Sequence, residues 1–101
     1  QLLRGVNLLV LSACIVEASA MRYTPAGLPA LDMRLEHGSD VQEAGQTRQA
    51  KANLKAVALG SVAERLVQQP LGQEFKFTGF ISSPRNSKQI IFHIQDFQNI
   101  S

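Results

Sequence analysis

A chain of 101 residues, 45% hydrophobic and 18% charged, is long enough to bury one core and too apolar to be a disordered tail. Ten Lys and Arg against eight Asp and Glu leave a net charge of +2, too small an excess to imply a nucleic-acid partner by itself, so the positions of the cations decide that question. The lone cysteine, Cys14, excludes an intramolecular disulfide; set in an apolar run, it reads as a buried thiol in a reducing compartment, and we read one cytoplasmic domain over 1–101.

Residues 2–20, LLRGVNLLVLSACIVEASA, have the layout of a secretory leader, with an early arginine, an apolar run from Leu8 to Val16 and an Ala-Ser-Ala ending. Asn7 and Ser12 flank and interrupt that run, and the turn that follows needs a preceding strand to pair with. Asn7 to Val16 is therefore expected as the first strand, too short to span a bilayer, and no membrane partner is expected. Being apolar on both faces, it is either central or covered by a second subunit. Next, Tyr23-Thr24-Pro25-Ala26-Gly27 sets proline two residues ahead of glycine and should reverse the chain, while Pro29 holds Leu28 extended. From Ala30 to His37, Leu31, Met33 and Leu35 alternate with Asp32, Arg34 and Glu36, the period of a half-buried second strand.

Gly38 to Gln49, GSDVQEAGQTRQ, is polar and without periodicity, which predicts a long exposed loop. Ala50 to Gly60 predicts a third strand, with Ala52, Leu54, Ala56 and Ala58 on one face and Lys51, Asn53, Lys55 and Val57 on the other. Ser61 opens a short helix with Glu64 at capping-box spacing; Val62, Leu66 and Val67 face the core, and Pro70 with Gly72 ends it. Gln73 to Ser82 predicts a fourth strand, with Phe75, Phe77, Gly79 and Ile81 alternating against Glu74, Lys76, Thr78 and Phe80. Ser83 to Lys88 is a basic hairpin loop, and a fifth strand runs from Gln89 to about Phe97. Three strands, a helix and two strands describe an all-β, five-stranded OB-fold barrel with one short helix between strands three and four.

No enzymatic constellation is visible. His37 and His93 lack a third ligand at metal spacing, Cys14 and Ser82-Ser83 lack the surroundings of a nucleophile, and Asp40 and Glu43 in a polar stretch serve solubility. We therefore expect a non-catalytic protein with no metal and no cofactor. The cations are more informative. Arg48, Lys51 and Lys55 lie before and along the third strand, Arg85 and Lys88 in the last hairpin loop, Arg22 in the first turn and Arg34 on the second strand. In an OB-fold the flanking loops border an oligonucleotide groove, and cations there would hold backbone phosphates without sequence preference. Lysines on a strand's solvent face serve equally to keep an edge soluble. Phe75, Phe77 and Phe92 read as core rather than as stacking platforms.

Arg22 to Pro29, RYTPAGLP, and the strand ending Leu35-Glu36-His37 resemble the bacterial single-stranded DNA-binding protein superfamily. Further matching stretches are Asn7 with Leu9-Val10-Leu11-Ser12, Glu43-Ala44-Gly45 with Arg48-Gln49-Ala50, and Gly79-Phe80-Ile81-Ser82, so the resemblance covers about Asn7 to Phe97. It implies an OB-fold homodimer that binds single-stranded DNA and, like the superfamily's primosomal members, bridges the restart helicase to the next loading factor at stalled forks. The apolar first strand would then be a dimer contact, and the family's basic contacts fall on Arg22, Arg48, Arg85 and Lys88. Gln46 and Lys51 stand where the best known pattern carries an aromatic pair, and the last hairpin loop is shorter with fewer lysines. Those departures imply a weaker DNA grip, since stacking is worth ~1 to 3 kcal/mol per base. The alternative is a dimeric adaptor whose groove mainly contacts proteins.

Overall fold

The computed structural model describes residues 5–100, so Arg4 of the leader-like layout lies outside the described residues. The elements are β1 (Leu9–Ala18), β2 (Arg22–Tyr23), β3 (Pro29–Glu43), β4 (Gln46–Leu59), α1 (Ser61–Leu66), β5 (Glu74–Ser82) and β6 (Ile91–Asn99). The sheet runs β1-β5-β6-β4-β3-β2, and a further pairing of β1 with β3 closes β1, β3, β4, β6 and β5 into a five-stranded barrel. All pairings are antiparallel except β4 with β6, which is parallel. This is the expected OB-fold.

Closure depends on β1 serving two neighbours. Leu9 to Cys14 pair with β5, Cys14 to Ala18 pair with β3, and a register shift between Ile15 and Glu17 bends the strand from one to the other. The inward residues of every barrel strand meet in one cluster: Ala13 and Ile15, Leu31, Met33 and Leu35, Ala56 and Ala58, Phe75 and Phe77, with Phe92, Ile94 and Phe97. Phe75 meets Phe97 edge to face at 5.5 Å between centroids. Gly79 is fixed by space, because a Cβ there would stand 1.8 Å from the His93 carbonyl oxygen.

Several expectations shift. β1 lies two residues later than read, the chain gains the short β2, and β6 starts at Ile91, leaving Gln89 and Ile90 in the preceding loop. Cys14 is half-buried rather than buried. The turn after β2 forms as read, with Gly27 N–H donating to the Thr24 carbonyl at 2.8 Å and Thr24 N–H to that of Leu28 at 2.9 Å. In α1 the N-cap is Gly60, with no side-chain capping bond, so Ser61 lies inside the helix and the capping box does not form. Ala63 and Leu66 plug the barrel end, whereas Val67 faces solvent.

The largest correction concerns Gly38 to Gln49. It is not a loop: β3 and β4 stay paired from Ala30–Leu59 out to Glu43–Gln46, around a two-residue turn at Ala44 and Gly45. Both turn residues have positive φ, 53° and 77°, as the hairpin turn matching strand twist requires. Beyond the barrel this ribbon meets water on both faces, so nothing there selects alternating apolar residues, and the periodicity that marks a strand vanishes. Fifteen residues of β3 at ~3.3 Å each match the molecule's 49 Å long axis.

Candidate nucleic-acid interface

The outward face of the barrel carries residues in lateral rows set by strand register. In one row Asp32 on β3 lies opposite Val57 on β4, Val57 opposite His93 on β6, and His93 opposite Phe80 on β5. In the next, Arg34 lies opposite Lys55, Lys55 opposite Ile91, and Ile91 opposite Ser82. The turn carrying Ser19, Arg22 and Thr24 rises on one side of these rows, and the β5–β6 loop with Pro84 and Gln89 on the other. Together they enclose a groove of ≈ 880 Å³.

The predicted cations divide into two groups. Arg22, Arg34 and Lys55 line the groove. Arg48 and Lys51 do not: they lie out on the hairpin, opposite Val41 and Gly38. Arg85 and Lys88 belong to the loop that forms one groove wall, but Pro84 and Gln89, not they, touch the cavity. Of the two lysines expected on the outer face of the third strand, Lys55 lines this groove and Lys51 does not.

Carboxylates were missing from the sequence reading of this site. Arg22 is held by Asp32 through two bonds, Nε to Oδ2 at 2.6 Å and Nη2 to Oδ1 at 3.1 Å. The paired guanidinium holds the Asp32 carboxyl below its usual range, and the carboxylate raises Arg22 in return. Arg34 donates to Glu17 at 3.3 Å, and on the hairpin Arg48 pairs with Glu43 at 3.0 Å. Lys51, Lys55, Arg85 and Lys88 form no salt bridge among the described residues; Lys55 reaches only the Gln89 amide oxygen, at 3.4 Å. The clue to the first pair was in the sequence: Asp32 shares the outward face with Arg34, and the turn brings Arg22 back beside Ala30, two residues from Asp32.

His93 and Phe80 were also missed as a unit. Their rings stack at 4.8 Å, 5° from parallel, and His93 Nε2 lies 2.9 Å from Ser82 Oγ. His37 has a structural role instead. Its Nδ1 donates to the Ser12 carbonyl at 2.5 Å and its Nε2 sits 2.8 Å from Ser39 Oγ, tying β3 to β1 just past Cys14–Glu36, where their ladder ends. No group of three or more His, Cys, Asp or Glu side chains is placed to hold a metal among the described residues, and none of their helices is long and apolar enough to cross a membrane.

A closed barrel of this strand order, with its groove across β3 and β4 between two loops, defines an oligonucleotide-binding type of fold. Residues 7–96 match the model of a family described as another single-strand binding protein family. The chain is 44% identical over 97 residues to the replication restart protein PriB of Bordetella pertussis, covering 95% of this chain and 91% of that one. It superposes on the structure of PriB from Ralstonia solanacearum with a TM-score of 0.88 at 32% identity, over 96% of this chain and all of that one. The single-stranded DNA binding protein of Thermus aquaticus shares the fold, with a TM-score of 0.75 at 23% identity. The chain belongs to the PriB family of replication restart proteins, within the single-strand binding protein family.

Proposed function

We propose that this protein is a non-catalytic, cytoplasmic module of replication restart that binds single-stranded DNA without sequence preference. It works as a homodimer and bridges the restart helicase to the next loading factor. The observation that carries the DNA reading is Arg34 directly opposite Lys55 on the groove face. Glu17 answers the charge of Arg34, but Lys55 has no salt bridge among the described residues and faces a like charge across the sheet, a cost that an anion beside it removes. Lys51 on the hairpin and Arg85 with Lys88 on the groove wall extend the cationic track, and Arg22, Arg34 and Arg48 join it when they leave their carboxylates. The single-strand binding protein family that residues 7–96 match, and the replication restart proteins among the relatives, support the same reading.

The test is the fluorescence anisotropy of a labelled single strand of ~30 nucleotides at several salt concentrations. Binding is expected to weaken linearly in log salt, and Lys55→Ala is expected to make the slope shallower by ~0.7, the share of one phosphate contact on single strands. Absence of binding at the lowest salt would reject DNA and favour the adaptor. That second reading has its own observation: Tyr23, Leu28 and Leu59 are large apolar residues left exposed around the β2–β3 turn, where a protein partner could cover them.

A further inference from the structure

The groove is cationic by composition but largely neutral by pairing. Arg22 and Arg34 each meet a carboxylate that lines the same cavity, Asp32 and Glu17. Both pairs are built into the strand register: Glu17 lies opposite Arg34 across β1–β3, and Asp32 lies two residues along β3 from Ala30, the partner of Arg22. The bidentate geometry of Arg22 on Asp32 is the geometry an arginine uses on a phosphate, so one guanidinium fork cannot hold both at once. We propose that Asp32 and Glu17 are tethered competitors of the DNA phosphates, which set how many groove arginines a bound strand can engage. Resting on the DNA reading above, this gives the groove an internal limit on affinity.

Competition of this kind fits a protein that must release its strand. A groove whose cations are all available holds DNA through every one of them, whereas one whose arginines are already satisfied must break an ion pair for each phosphate that an arginine takes up. Lys55, with only a long bond to an amide oxygen, meets the strand first. The arginines follow only where the phosphate outcompetes the carboxylate. The Asp32 carboxyl, kept low by Arg22, stays charged through the neutral range, so the competitor is always present.

The experiment measures salt-dependent anisotropy with a labelled oligothymidylate of ~30 nucleotides for the wild type, Asp32→Asn, Glu17→Gln and Asp40→Asn. Asp40 is the control: a carboxylate on the hairpin with no salt bridge among the described residues, so its replacement changes net charge without freeing an arginine. Asp32→Asn is expected to steepen the slope of log K against log salt by ~0.7 and to tighten binding about eightfold at 50 mM salt, from that slope carried down from 1 M. Glu17→Gln should act in the same sense through Arg34. Adding Arg22→Ala to Asp32→Asn should return the slope to the wild-type value. An unchanged slope in Asp32→Asn overturns the proposal while leaving DNA binding intact. An equal tightening by Asp40→Asn also overturns it, by showing that net charge alone is responsible. If the wild type does not bind at the lowest salt, the DNA reading itself has failed and the competitor falls with it.

Discussion

Gly79 shows how one residue can be dictated by its neighbour's backbone. Any side chain there would enter the His93 carbonyl, an atom that cannot swing aside as a flexible side chain could. It also sits at the register shift between Thr78 and Gly79 in the antiparallel β5–β6 ladder. Gly79→Ala is therefore expected to destabilise the fold by ~3 kcal/mol, the upper end for overpacking, seen as a lower urea midpoint at unchanged m-value. Sequence alternation had put Gly79 on the inward face with Phe75 and Phe77, but it gave no reason for glycine there, because the reason is a partner strand fourteen residues on. The Arg22–Asp32 pair was illegible for the same cause: each residue's face could be read, but not the register that sets them together. That pair makes a second prediction. The Asp32 carboxyl is depressed in the folded state, so its contribution is complete above the unfolded value, near 3.8, and is lost as pH falls through the folded value. Urea midpoints of wild type and Asp32→Asn should differ at pH 6, wild type higher, and converge below pH 3.8. Both side chains are about half exposed, so the gap should be small and should shrink with added salt.

At the scale of elements, the barrel strands were legible wherever a buried face imposed a period of two, as on Leu31, Met33 and Leu35 or on Phe75 and Phe77. The hairpin beyond Gly38 was not, since its residues answer to turn geometry and cross-strand pairing rather than to burial. Gln42 Nε2 bonds Thr47 Oγ1 at 2.7 Å and Arg48 reaches Glu43, contacts that no periodicity reveals. The remaining signal was Glu43-Ala44-Gly45, but alanine in the first turn position hid it, because φ of 53° is unfavourable for a residue with a Cβ. Ala44→Asn supplies the Asn-Gly pair that this turn prefers, and asparagine tolerates the left-handed region. It should stabilise the hairpin by ~0.5 to 1 kcal/mol, read as slower amide hydrogen exchange from Val41 to Arg48 with the barrel amides unchanged. Exchange that stays the same would show that the ladder, not the turn, holds the ribbon together. α1 makes the complementary point. Its buried Ala63 and Leu66 follow helical spacing, but the misplaced cap put Val67 inside, where the structure leaves it exposed.

For the whole molecule, the consequence of sharing β1 between two neighbours is an edge left open. Along Leu9 to Ala13 the strand pairs β5 on one side, while β3 joins on the other only from Cys14 onward. Backbone donors and acceptors along an open edge recruit another strand unless charge, proline or a cover prevents it. Apart from His37 on the Ser12 carbonyl, none of these is present here: Leu8 is 64% and Val10 48% exposed, and no charged residue lies between Asn7 and Val16. In the homodimer proposed above, a second copy meeting the same edge antiparallel would make an isologous contact, each β1 covering the other and closing the symmetry at two chains. Such a dimer would join two grooves on one particle, so a strand long enough to reach both would bind far more tightly than either groove alone allows. Val10→Asp sets like charges against each other across that axis and should shift the sedimentation-equilibrium mass from twice 11.0 kDa to a single chain. Affinity for a long single strand should fall with it more than affinity for a short one. Val41→Asp, a similar change on the exposed hairpin, should leave the mass alone. A Val10→Asp protein that still sediments at twice the chain mass would mean that the first strand is not the dimer contact, and its apolar outer face would then belong to a different protein.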